Sequence, residues 1–321
     1  MSLTRRSFLA AGASAIALPA LGSLAGCATA PAAPAVTTVA PGIARVRVGN
    51  YTVTSLPDGV AERPLTEGFV RNASLAQVQA ALAEANLPTD KITIPFTAYL
   101  VDTGSRKVLM DAGNGTFGAP TSGRLLESLA KAGVQPAQID TVVISHFHGD
   151  HINGLRNKEG QLVFPNARLM VPAPEWAWWM DDARMNALPE NQRGNFQAVR
   201  RVFGPVAQQV ERFEPGRELL PGIRSMPAFG HTAGHTAFMV ESAGQKLMYW
   251  GDTTNIAALF VRNPDWAVMF DADAEAARKV RRQLMETAVK ENLLVAGYHL
   301  TQPGIGRLAP RGNGYEFTPV A

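Results

Sequence analysis

Thr141-Val142-Val143-Ile144-Ser145-His146-Phe147-His148-Gly149-Asp150-His151 is the stretch around which the rest of the chain is arranged. Its first half is β-branched and apolar, the composition of a strand buried in a parallel sheet. Its second half crowds three imidazoles and a carboxylate into six residues at the end of that strand, where open α/β sheets place their sites. In extended backbone His146 and His148 point to the same side, so they can share one metal. Gly149 lets the chain turn, which allows Asp150 and His151 to face a neighbouring point. A lone histidine is most often a satisfied polar group or a surface residue. Several imidazoles beside a carboxylate suit divalent metals. A mononuclear site would use part of this set, and two adjacent metals would use all of it.

The chain has 321 residues, 46% hydrophobic and 18% charged, enough for a substantial core in one large domain or two small ones. The formal charge is only +3. Without Arg5 and Arg6 it falls to +1, with 28 basic side chains against 27 acidic ones. No nucleic-acid partner is inferred from such a balance.

Residues 1–26 read as an export signal and are set aside from the fold. Arg5-Arg6-Ser7-Phe8-Leu9 precedes a small-residue apolar run, as in a twin-arginine leader. Leu24-Ala25-Gly26-Cys27 resembles a lipobox, which makes Cys27 the lipidated first residue of a periplasmic, membrane-anchored protein. The alternative is an ordinary secretory leader with a coincidental cysteine. Cys27 is the only cysteine, so no intramolecular disulfide can form. No later segment has the length and continuity of a membrane-spanning helix. Residues 27–41, rich in Ala, Pro, Thr and Val, read as a flexible tether.

The folded domain is expected over 42–321. Ala44 to Val48 and Tyr51 to Leu56 form a hairpin, followed by a turn at Pro57-Asp58-Gly59. Helices are expected from Ser74 to Asn86 and from Thr121 to Ala132. Another starts near Asp273, with Ala276, Val280, Leu284 and Val289 inward. Ile94 to Val101 and Lys107 to Asp111 make a second hairpin. Thr236 to Val240 and Lys246 to Trp250 make a third, which delivers His235 at one end and Asp252 at the other. Leu294 to Ala296 leads into His299. The stretch 172–209 is helical and aromatic-rich, an insertion over the pocket mouth. Each half gives strands, a histidine or acidic strand end, then helices. This fits an α+β fold, a four-layer αββα sandwich of two similar halves.

The 146–151 motif, taken with His235, Asp252 and His299, resembles the signature of the metallo-β-lactamase fold superfamily. The resemblance implies two divalent metal ions, zinc first, with Mn, Fe, Co or Ni also compatible with N/O ligation. It places His146, His148 and His235 on one metal, Asp150, His151 and His299 on the other, and Asp252 as the bridge. Asp150 and Asp252 then carry the catalytic charge. Two such cations lower the pKa of a water between them from 15.7 to about 7. Asp111 is implied as a buried carboxylate supporting the ligands, with plain turn capping as the alternative. His231 is left as the spare histidine, positioning the loop or lying bland on the surface.

Within the superfamily the chain is similar to the methyl parathion hydrolase and lactonase branch, through Tyr99 to Ser105, Phe164 to Ala167 and Gly230 to Thr236. That likeness implies an aromatic leaving-group pocket of Phe117, Trp179 and Phe196. Gly149 replaces a proline common there, and Thr253-Thr254-Asn255 is polar where relatives are apolar. The expected activity is hydrolysis of a small hydrophobic organophosphate triester, aryl ester or lactone. The narrower reading is a quorum-quenching acyl-homoserine lactonase, and a different class is a non-catalytic metal-binding lipoprotein. The aromatic insertion also offers a surface for a homodimer.

Overall fold

The computed structural model describes residues 36–320. The expected leader, Cys27 and the start of the tether lie outside the described residues. Five of the last six tether residues do not behave as a tether. Val36–Ala40 form an edge strand, β1, paired antiparallel to the next strand, because their β-branched side chains suit a pleated edge.

The first sheet has eight strands in chain order: β1, β2 (Ile43–Val48), β3 (Tyr51–Pro64), β4 (Lys91–Asp102), β5 (Lys107–Met110), β6 (Thr141–Val143), β7 (Arg168–Pro172) and β8 (Glu211–Phe213). It is antiparallel through β5 and parallel from β5 to β8. The second sheet has seven: β9 (Glu218–Leu220), β10 (Ile223–Pro227), β11 (Thr236–Ser242), β12 (Gln245–Tyr249), β13 (Leu294–Ala296), β14 (Ile305–Arg311) and β15 (Gly314–Pro319). Only β12 and β13 pair in parallel there. Flanking helices are α1 (Leu75–Glu84), α2 (Leu125–Lys131), α3 (Gly149–Ile152), α4 (Ala173–Trp179), α5 (Asp182–Ala187), α6 (Gly194–Phe203), α7 (Ala257–Phe260) and α8 (Ala274–Lys290). The fold is the expected αββα sandwich. Among the described residues no helix is long and apolar enough to cross a membrane.

Strand alternation explains the layers. In β11 and β12, Phe238, Val240, Leu247 and Tyr249 enter the core shared by the two sheets. Their neighbours Ala237 and Met248 enter a second cluster with Met285 and Ala288 of α8. Between the sheets the rings of Tyr99 and Tyr249 lie 5.2 Å apart.

Three further expectations change. Pro57-Asp58-Gly59 is a bulge within β3, not a turn. Asp58 is buried there and accepts the backbone N–H groups of Asn114 at 2.7 Å and Leu125 at 2.8 Å, which caps the start of α2 from within the sheet. The fully buried stripe of α8 is Ala277, Arg281, Met285 and Ala288, and the expected Val280, Leu284 and Val289 are half-buried beside it against the same cluster. Arg281 can be inside because Asp271 and the carbonyls of Thr253, Pro264 and Trp266 receive its guanidinium. The insertion packs partly inward: Phe203 stacks on Phe147 at 4.6 Å, with Trp176 against both, while Asn195 reaches the cavity above the histidine cluster.

Backbone bonds bring the strand ends together. Thr236 donates to the Ser145 carbonyl at 3.0 Å, tying β11 to the end of β6. Trp250 donates to the Ala296 carbonyl at 3.0 Å, tying the end of β12 to β13. The loops carrying residues 146–151, 231–235, 252 and 299 are thereby delivered to one edge of the sandwich.

Candidate metal centre

Four of the imidazoles at this edge have Nδ1 occupied by a protein partner, which leaves Nε2 to face inward. Ser145 gives its backbone N–H and its hydroxyl to Asp111, both at 2.7 Å. Its oxygen can then accept from His146 Nδ1 at 3.0 Å, leaving Nε2 as a lone pair. His151 Nδ1 donates to Asp111 Oδ2 at 2.8 Å, and His231 Nδ1 to Asp271 Oδ1 at 2.9 Å. His299 Nδ1 donates to the Pro95 carbonyl at 2.8 Å. Every one of these rings therefore presents Nε2 inward, oriented as metal-binding imidazoles are by an outer partner.

The donor atoms fall into two groups. His146, His148, His231 and Asp252 make the first, and Asp150, His151, Asp252 and His299 the second. In the first, His148 Nδ1 lies 3.0 Å from both His146 Nε2 and His231 Nε2. Asp252 Oδ2 is 3.3 Å from His231 Nε2 and 3.8 Å from His146 Nε2. In the second, His151 Nε2 is 3.4 Å from Asp150 and 3.2 Å from Asp252 Oδ1. His299 Nε2 is 3.5 Å from Asp150 and 2.9 Å from Asp252 Oδ2. A tetrahedron of N and O donors about 2.0–2.1 Å from a cation has edges of roughly 3.3 Å, so both groups fit. Two of the facing atoms, His151 Nε2 and Asp252 Oδ1, are buried with no hydrogen-bond partner. Buried polar atoms left open in this way are what a cation between them would satisfy.

One residue assignment is reversed. His235 was expected as a ligand and His231 as the spare, yet His231 completes the first group. His235 has no nitrogen to offer: Nδ1 bonds the Ala228 carbonyl at 2.9 Å, and Nε2 accepts the Asp252 backbone N–H at 3.0 Å. It holds the bridging aspartate's backbone in place instead.

Electrostatics match the donor chemistry. Burial works against an imidazolium at every ring, and it prevails at His148, lowered to about 3, and at His235, lowered to about 4. At His231 burial is outweighed by the carboxylates of Asp252 and Asp271, which raise it to about 9. His151 and His299 are also raised, against burial, by Asp252 and Asp150. Burial opposes ionisation of Asp150 and Asp252 too, but the adjacent imidazoles hold Asp150 down to about 2 and Asp252 well below the usual range. The carboxylates that raise these three rings are the charges that cations held here would neutralise.

Asp111 is fully buried in the left-handed region, φ 60°, where it accepts from Ser145, His151 and the Tyr249 hydroxyl. Its place beside the ligands is as the resemblance implied. Glu175 was not anticipated. It is fully buried in α4 and accepts from Phe147 N at 3.0 Å, Trp179 Nε1 at 2.7 Å, Thr232 Oγ1 at 2.9 Å and Gly234 N at 2.6 Å. It joins the first histidine loop to the one carrying His231. A glutamate within the Trp-rich run Glu175-Trp176-Ala177-Trp178-Trp179 was the available signal, since an acid among buried aromatics must be meeting donors.

The groups lie at the floor of a cavity of about 560 Å³. Ala61, Ile94, Phe96 and Phe270 give it an apolar wall, and Phe117 also lines it. Trp179 and Phe196 do not. They pack on each other, ring centroids 4.8 Å apart, behind the wall, because Trp179 is drawn away by its bond to Glu175. Two donor groups sharing one carboxylate beneath an open cavity form a dinuclear metal-binding hydrolase centre.

Comparison with known proteins agrees. Among solved structures, AidC, a dizinc quorum-quenching lactonase with bound N-hexanoyl-homoserine product, is 26% identical with a TM-score of 0.82, covering 87% of this chain and 98% of its own. The hydrolase AbOPH is 25% identical with a TM-score of 0.79, covering 86% and 97%. An N-acyl homoserine lactonase of Bacillus sp is 23% identical over 65% of this chain and 82% of its own length. Residues 97–291 match the profile of the metallo-beta-lactamase superfamily, and the chain belongs to that family.

Proposed function

We propose that this protein is a dizinc lactonase acting on N-acyl homoserine lactones. The observation that carries the reading is the placement of Asp252, shared by both donor groups, under a cavity with an apolar wall. The likeness to AidC supports it. Nitrogen and oxygen donors in near-tetrahedral arrays favour zinc.

Two divalent ions held here would supply Lewis acidity and a water that ionises near neutral pH. The chain's own part is to fix and tune the donors. Asp111 and Asp271 orient His151 and His231, while the Tyr298 hydroxyl donates to the Asp150 carbonyl at 2.5 Å and steadies α3. Asp150 and Asp252 are the carboxylates that reach the cavity, where they can accept a proton from an attacking water. Ala61, Ile94, Phe96 and Phe270 shield the acyl chain from water.

Kinetics on the zinc-loaded protein test the reading. We expect kcat/KM for N-hexanoyl or N-decanoyl homoserine lactone to exceed that for an aryl phosphotriester at least about tenfold, ~1.4 kcal/mol. The reverse preference would establish a phosphotriesterase. We further propose that the chain works on the periplasmic side of the membrane, anchored through Cys27, supported by Arg5-Arg6 and Leu24 to Cys27. Metabolic labelling with a fatty acid should mark the wild type and not Cys27→Ser, and equal labelling would refute the anchor.

A further inference from the structure

The cavity floor contains an amide donor that the metal centre does not use. Asn153 follows Asp150 by three residues, so both side chains lie on one face, and both line the cavity. The orientation of its amide is set from behind. Arg201 Nη2 donates to Asn153 Oδ1 at 2.5 Å, and since a guanidinium only donates, Nδ2 is the atom left over. Among the described residues no protein acceptor takes Nδ2. Arg201 is itself held, its guanidinium 3.7 Å over the Phe117 ring, and no carboxylate among the described residues pairs with it. The space for the amide comes from Gly149: a Cβ there would sit 2.8 Å from Asn153 Nδ2. The glycine that sets this motif apart therefore makes room for the amide. Asn114, also on the cavity, differs because its amide N–H is given to Asp58 at 2.9 Å.

We propose that Asn153 determines specificity by donating from Nδ2 to a substrate carbonyl oxygen that is not part of the bond being cleaved. Three residues of helix rise about 4.5 Å, which separates Asn153 from Asp150 at the reacting centre. A lactone with an acylamino group on the carbon next to its ring carbonyl carries a second carbonyl oxygen at about that distance. A plain lactone, aryl ester or phosphotriester has no oxygen there. The inference rests on the lactonase reading and adds the group by which the substrate is read.

The test compares N-hexanoyl homoserine lactone with γ-butyrolactone on the zinc-loaded full chain, in wild type, Asn153→Asp and Asn153→Ala. Aspartate keeps the volume and the contact with Arg201 but has no N–H. The ratio of kcat/KM for the acylated over the plain lactone is expected to fall at least about tenfold in both variants, mainly through KM. A ratio within about twofold of wild type overturns the proposal. If wild type cleaves neither lactone, the lactonase reading fails and this inference goes with it. If wild type cleaves both and the ratio stays fixed, only the role of Asn153 fails. A second readout is independent of turnover. In 15N-labelled protein, the side-chain amide pair that vanishes in Asn153→Asp should shift on titration with N-hexanoyl-homoserine, and an unmoved pair overturns the proposal equally.

Discussion

His231 and His235 occupy one short loop, Gly230-His231-Thr232-Ala233-Gly234-His235, and chemistry separates them by what their nitrogens already do. Both nitrogens of His235 are engaged by backbone, whereas His231 Nε2 lies among His148 and Asp252. His231→Ala should therefore reduce bound zinc from two ions to one and lower kcat/KM by at least about a hundredfold, as metal analysis and kinetics would show. His235→Ala should keep both ions but cost about 2 kcal/mol in urea denaturation, because it strands the buried Asp252 N–H. Loss of a metal in His235→Ala with full occupancy in His231→Ala would restore the original assignment. The cluster at 146–151 was legible in the sequence because its residues are neighbours along the chain. The choice within 231–235 was not, because it depends on where a side chain from residue 252 arrives.

At the scale of the element, α4 ties two loops that carry ligands. Glu175 takes four hydrogen bonds, two of them from the backbone N–H groups of Phe147 and Gly234, and pairs with no cationic side chain among the described residues. Burial raises its pKa while these donors work to lower it. Glu175→Gln would place an NH2 against donors, so we expect a loss of about 2–3 kcal/mol in stability, with weaker retention of zinc against a chelator. A variant as stable as wild type would mean that the loops hold themselves. Helix α8 makes a related point. Its amphipathic period and its start near Asp273 were readable, and Asp273 accepts from Glu275 N and Ala276 N. The buried arginine at its centre was not readable, since Arg281 is stable inside only through Asp271 and distant carbonyls. Arg281→Met should leave buried Asp271 with His231 alone opposite it, at a cost of about 3–5 kcal/mol.

For the whole molecule, the centre lies where both sheets meet, so cation binding should register as fold stability. Ligands come from the ends of β6 and β13 and from the loops after β10 and β12, and an ion held by all of them binds only the folded chain. Free zinc a thousandfold above its dissociation constant should add ~4.1 kcal/mol per site, and removal by chelator should lower the melting temperature accordingly. Equal melting temperatures with and without zinc would show that the donors do not close on an ion.

The sequence by itself determined the layered sandwich and the strand that runs into four neighbouring donors, His146, His148, Asp150 and His151, because period-two alternation and close spacing are local properties of the chain, whereas Asp252 and His299 were implied by the family resemblance. Tertiary structure alone decided which histidine of the 231–235 loop faces Asp252, that Glu175 joins the ligand loops, and that Trp179 and Phe196 turn away from the cavity. Those outcomes depend on which hydrogen-bond partner a side chain meets across the fold, and no spacing along the chain encodes that distance.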